Sequence, residues 1–202
     1  MKRAALDVVA FVRGTDAPNT LTASIRTELE QHSGVRLVEI VLPSARPIAT
    51  LATWLREHLS EIPVAARLHL VGHGEAGVVC RYYAQHHRDG RVLQTISLES
   101  PFGGRSTTAS PRAEPEELAV GSPLLRSLAL GARRSLAPPH LSVVVGTEGA
   151  LNPPQQHLDA LPTADVAVLR RRSPGNATDH PTAARVVGQR VRCHATTDPM
   201  TA

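Results

Sequence analysis

Hydrophobic positions along the chain alternate between two rhythms. Short apolar runs at Leu6–Val12, Val35–Val41, Val92–Leu98, Leu141–Val145 and Val166–Leu169 read as strands, and so does the run through Leu68, Leu70 and Val71. Between them the spacing becomes helical. Leu21, Ile25 and Leu29 repeat every four residues on a helix expected to stop at Gly34, a natural C-terminal cap. Ile48, Leu51, Leu55 and Leu59 form the stripe of a second helix, closed by Pro63. Further helices are expected at Ala76–Gln85, Pro123–Leu130 and Ala183–Val191. Strands alternating with helices predict an α/β fold: a mostly parallel sheet of about six strands with helices on both faces. No internal repeat or second domain is visible, so residues 1–202 read as a single α/β domain.

Composition narrows the class. A hydrophobic content of 42% is enough for a core. Aromatic residues are few (Phe11, Trp54, Tyr82, Tyr83, Phe102), so that core must be aliphatic. Cys80 and Cys193 set no disulfide framework, which fits a reducing compartment. Met1-Lys2-Arg3 before Ala4-Ala5-Leu6 imitates the start of a signal peptide, but Asp7 interrupts the apolar segment, which is also too short to span a bilayer. The expectation is a cytoplasmic protein without a membrane span. The +4 net charge comes from scattered arginines and short runs at Arg133-Arg134 and Arg170-Arg171-Arg172. No basic stripe is interleaved with stacking aromatics, so nucleic acid is not an expected partner. His69, His86, His87, His140, His157 and His194 lack metal-ligand spacing, and neither a metal nor another cofactor is expected. Residues 105–117 are rich in Ser, Thr, Pro and charge, and read as a lid over a pocket or as a surface loop.

The most informative stretch is Leu68-His69-Leu70-Val71-Gly72-His73-Gly74-Glu75-Ala76-Gly77-Val78-Val79. Small residues between strand and helix permit a very sharp turn, the setting in which a nucleophile is held exposed above a parallel sheet. It resembles the Gly-His-Ser-x-Gly-Gly elbow of bacterial lipases and esterases of the α/β-hydrolase superfamily, with Gly74 at the serine position. Other segments are similar to that family in the same order. Val12-Arg13-Gly14 resembles the His-Gly opening the oxyanion loop, and Arg81-Tyr82-Tyr83-Ala84 the Ala-Arg-Tyr-Tyr of the elbow helix. Ser100-Pro101-Phe102-Gly103-Gly104 resembles a Thr-Pro-His-x-Gly turn, and Gly121-Ser122-Pro123-Leu124-Leu125 a Gly-Ser-Pro-Phe-Leu segment. Glu148-x-x-Leu151-x-Pro153 is similar to the motif carrying the triad acid.

The resemblance implies a small α/β-hydrolase fold and a site whose parts can be tested one by one. Ester hydrolysis there needs a nucleophile, a histidine base, an acid and two oxyanion donors. Gly74 stands at the nucleophile position and has no side chain to attack with; a glycine there also relieves the strain of positive φ. Glu148 is the candidate acid, or an exposed turn carboxylate. The base position corresponds to Asn176; His180 is the other candidate, or a helix-capping residue ahead of Pro181. The oxyanion donors would be the amides of Thr15 and Glu75. Arg13, Gly14, His73 and Phe102 border the site as candidate ligand contacts, although Arg13 could instead pair with Asp16. Two functions follow: a non-hydrolytic pseudoenzyme binding a small acyl or ester-like ligand or a protein partner, or a carboxylic-ester hydrolase whose serine has been substituted.

Overall fold

The computed structural model describes residues 6–32, 34–105, 116–134, 138–146, 161, 164–170 and 180–195. Six strands, β1 (Asp7–Arg13), β2 (Val35–Val41), β3 (Arg67–His73), β4 (Val92–Leu98), β5 (His140–Gly146) and β6 (Asp165–Arg170), form one sheet. Its order is β2-β1-β3-β4-β5-β6, and every neighbouring pair is parallel. The helices are α1 (Asn19–Glu30), α2 (Ile48–Ser60), α3 (Glu75–His86), α4 (Pro123–Arg133) and α5 (His180–Ala195).

Alternation along the strands divides the core in two. Val8, Ala10, Val12, Leu68 and Leu70 meet Ile48 and Leu55 of α2, Val78 of α3 and Leu125 of α4. On the other face Val9, Phe11, Val71, Ile96 and Leu98 meet Leu21 and Ile25 of α1 and Ala183, Val187 and Val191 of α5. The expected α/β architecture is therefore present, with helices covering both faces. The near-continuous burial of β1 and β3 is that of parallel strands covered on both sides.

Boundaries differ from expectation where a local hydrogen bond overrides the pattern. α1 ends at Glu30 rather than at Gly34; Gly34, at φ +91°, makes the left-handed turn into β2 instead. The loop expected over 105–117 is closed at its base: Arg105 N donates to Leu118 O at 2.8 Å, and Glu116–Leu118 forms a 3-10 turn with Leu118 buried. Residues 106–115, the body of the expected lid or loop, lie outside the described residues. Glu117 Oε2 accepts from the Ile48 amide at 2.8 Å, satisfying one of the unpaired donors at the start of α2. α4 opens with Ser122, whose hydroxyl accepts from Leu125 N at 3.3 Å, followed by Pro123 in the first turn. No described helix is long and apolar enough to cross a membrane.

A buried polar network lies at the amino ends of the central strands. Asp7 receives Arg67 Nε at 2.8 Å and Nη2 at 2.6 Å, and His69 Nε2 lies 3.3 Å from the same carboxylate. Gln94 Nε2 is 2.8 Å from His69 Nδ1. Burial lowers the His69 pKa, against the opposing pull of Asp7. The unfolded chain therefore takes up a proton near pH 6.5 that the folded chain resists. This contribution to stability is complete above that pH and declines as pH falls below it. The urea midpoint should thus drop between about pH 7 and about pH 5.5, and drop less in His69→Gln. Equal slopes in the two proteins would remove His69 as the cause.

Candidate functional site

β1 lies between β2 and β3, so the direction of strand addition reverses there. Such a topological switch point opens a crevice outside the carboxyl ends of the strands, where open α/β sheets bind ligands. Two sequence-predicted loops leave the sheet side by side at this point. One follows β1 through Gly14 and Thr15; the other follows β3 through Gly74 into α3. The register pairing Val12 with Gly72 makes them neighbours.

The β3–α3 turn is built by three glycines under different constraints. Gly74 is the N-cap of α3 at φ 59°, ψ −129°, with its N–H donating to Leu98 O at 2.8 Å and its carbonyl accepting from Gly77 N at 3.1 Å. A Cβ on Gly72 would lie 2.5 Å from the Gly77 backbone. A Cβ on Gly77 would collide with Ser100 Oγ and lie 2.9 Å from Ser97 Cβ. Strand and helix can approach so closely only without those side chains. At Gly74 a Cβ would meet nothing within 4 Å. Packing demands glycine at 72 and 77; at 74 only the left-handed backbone favours it.

The neighbours of Gly74 are half-buried His73 and Glu75. Glu75 stands in the first turn of α3, where a carboxylate complements the helix dipole. Thr15 is exposed, its hydroxyl 3.1 Å from Ser44 Oγ. Arg13 does not pair with Asp16. Its Nε donates to Glu39 Oε1 of β2 at 2.5 Å and its Nη1 to Gly14 O at 3.1 Å, an ion pair that ties the two strands. Phe102 is buried, edge-on to His140 with ring centroids 5.3 Å apart, and belongs to the core beneath α3. Glu148 and Asn176 lie outside the described residues. His180 is the first residue of α5, with Pro181 in that helix's first turn, an arrangement suited to starting a helix.

Three features of this region had no clear sequence signal. Glu99, just past β4, adopts φ 52° while its N–H bonds Val143 O at 2.9 Å. A non-glycine residue held there costs about 1–3 kcal/mol, strain that concentrates at functional sites. Beneath α3 the sheet carries a buried polar layer. His140 lies 2.7 Å from Thr95 Oγ1 through Nδ1 and 3.1 Å from Ser97 Oγ through Nε2, and Ser97 reaches Ser142 at 3.2 Å. Arg81 donates to Pro138 O at 2.8 Å, and burial lowers its pKa to about 10. The Ser97–His140 pair has the elements of a nucleophile and base, but Ser97 is fully buried and no substrate can reach it. Ser100 Oγ, against the first turn of α3, is buried without a hydrogen-bond partner. Burial also raises the Cys80 thiol far above its ordinary range, so it is no substitute nucleophile. Among the described residues no group of His, Cys, Asp and Glu side chains could hold a metal.

No protein-family model matches the sequence, and no curated protein matches it. Solved structures do match in fold. The esterase domain of a Rhodothermus marinus protein has a TM-score of 0.62 at 14% identity, covering 95% of this chain and 88% of its own. Est1E from Butyrivibrio proteoclasticus has a TM-score of 0.63 at 10% identity, covering 96% and 89%. The thioesterase domain from the curacin biosynthetic pathway has a TM-score of 0.63 at 14% identity, covering 95% and 92%. With its six-stranded parallel sheet and its helices on both faces, the chain has the α/β-hydrolase fold of esterases and thioesterases.

Proposed function

We propose that this chain is a pseudoenzyme on the α/β-hydrolase fold, binding a small acyl or ester-like molecule at the β3–α3 turn without hydrolysing it. The observation that carries the reading is the turn itself. It keeps the left-handed geometry of a nucleophile elbow and its two packing glycines, yet its tip is Gly74 with open space beside it. The amides of Thr15 and Glu75 are the proposed oxyanion donors, able to hold a carbonyl or carboxylate oxygen without any side chain. His73 and Gly14 are the proposed flanking contacts; Arg13, paired with Glu39, acts on the loop rather than on the ligand. Glu148 would be a vestigial acid and Asn176 the vacated base position, with His180 the other candidate base.

The open space at Gly74 also favours a second reading, a carboxylic-ester hydrolase whose serine has been substituted. Titration of the labelled chain with methyl butyrate, followed by amide NMR, tests the binding that the first reading requires. Saturable shifts are expected at Gly14, Thr15, Gly74 and Glu75, with the ester recovered intact. No shift at these amides, or hydrolysis of the ester, would overturn it.

A further inference from the structure

We infer that the groove between the C-terminal ends of α3 and α4 binds a phosphate monoester. The groove has a volume of about 440 Å³ and is lined by Gln85, His86, Arg88, Leu130, Gly131 and Arg134. That volume falls within the range of small-molecule sites and exceeds the needs of a bare phosphate ion, leaving room for an organic group. Two of the lining side chains, Arg88 and Arg134, are cationic, and none is a carboxylate. Neither the Arg88 nor the Arg134 guanidinium has an ion-pair partner among the described residues.

The backbone adds a second, independent observation. Arg88 follows the C-cap of α3 at φ 48°. That left-handed position is ordinarily given to glycine, which adopts it without strain. Here an arginine stands there, and its side chain lines the groove. Countering the helix dipole needs only a cation anywhere in the last turn, so it does not account for this choice.

The surrounding contacts shape the groove, and Arg88 and Arg134 must outweigh the partial negative charge at the ends of α3 and α4. Asp89, the nearest acid in the chain, is already occupied. It takes Arg91 Nη2 at 2.7 Å and the Tyr83 hydroxyl at 2.8 Å, so it does not neutralise Arg88. His86 is stacked on Tyr82 with ring centroids 4.1 Å apart. α4 sits close because residue 131 is glycine; a Cβ there would run into Gln85, whose Nε2 donates to Leu128 O at 2.9 Å. Leu130, 54% exposed, supplies an apolar wall. Two guanidinium forks and an imidazole suit a dianionic phosphate, which offers several oxygens to bidentate donors, better than a singly charged carboxylate. The site is separate from the β3–α3 turn: α3 has 12 residues and so separates the two by about 18 Å.

The test is an amide NMR titration of the full chain with phenyl phosphate, with benzyl alcohol as the neutral control. Saturable shifts are expected over 84–90 and 126–134 with phenyl phosphate only. Arg88→Gly should weaken binding by about ten-fold or more, while its Tm stays level or rises because the left-handed strain is gone. Arg134→Gln should weaken it similarly without altering the end of α3. A flotation arm with phosphatidic acid vesicles separates a free ester from a lipid headgroup. The inference is overturned by non-saturating shifts, by affinity unchanged in Arg88→Gly, or by binding to the vesicles without binding to phenyl phosphate.

Discussion

Gly74→Ser should gain at most trace hydrolysis of p-nitrophenyl butyrate, whereas Gly74→Ser with Asn176→His should hydrolyse it clearly. The turn has room for the hydroxyl, since a side chain at 74 meets nothing within 4 Å. The backbone at φ 59° adds strain of about 1–2 kcal/mol for a non-glycine residue, which the fold can absorb. On the proposed reading, in which Asn176 stands at the vacated base position, a serine alone has no base to take its proton. General base catalysis contributes typically about 10²–10⁴-fold, and that is the gap expected between the single and double variants. The position of the base rests on the family resemblance. If Gly74→Ser alone is efficient and adding His180→Ala abolishes the activity, His180 is the base and Asn176 is not its vacated place.

The second large effect is on stability. Gly72→Ala should destabilise the protein more than Gly74→Ala, although only two residues separate the sites. A Cβ at 72 would stand 2.5 Å from the Gly77 backbone, so α3 must move off β3. Overpacking of this kind costs about 1–3 kcal/mol and sometimes more. Gly77→Ala should be comparably damaging, because Ser97 and Ser100 fill the space against it. Gly74→Ala meets no neighbour and incurs only the backbone term, about 1–2 kcal/mol. Urea midpoints of the three variants give the ranking. A Gly74→Ala protein weaker than Gly72→Ala would mean that strand and helix do not approach as described.

Much of this architecture was legible in the residues, for a local reason. Runs such as Val35–Val41 and Val92–Leu98, and stripes such as Ile48, Leu51, Leu55 and Leu59, carry their periodicity within one element, and the elements form over those residues. The sharp turn at Gly74 was legible because strand, small residues and helix are contiguous. What escaped depends on strands far apart in the chain. Arg13 faces Glu39 because β1 pairs with β2, and nothing near Arg13 in sequence says so; Asp16 was the nearer candidate. Thr95, Ser97, His140 and Ser142 are polar residues of an ordinary exposed type, and only the pairing of β4 with β5 turns them into one buried layer. Phe102 sits in a Gly- and Pro-containing turn, a surface signal, yet the turn folds its ring down onto His140. Gly34 is ambiguous in sequence because a glycine after a helix serves equally as a helix cap and as the first turn into a strand.

The most direct test of the central claim is intact-mass spectrometry of the unaltered chain after incubation with a fluorophosphonate probe, with Gly74→Ser, Asn176→His treated alongside. A protein that keeps the elbow but has no nucleophile at its tip should show no added mass. The double variant should gain one adduct, mapped to residue 74. An adduct on the unaltered chain, at any residue within reach of the β3–α3 turn, would show a working nucleophile there and contradict the account.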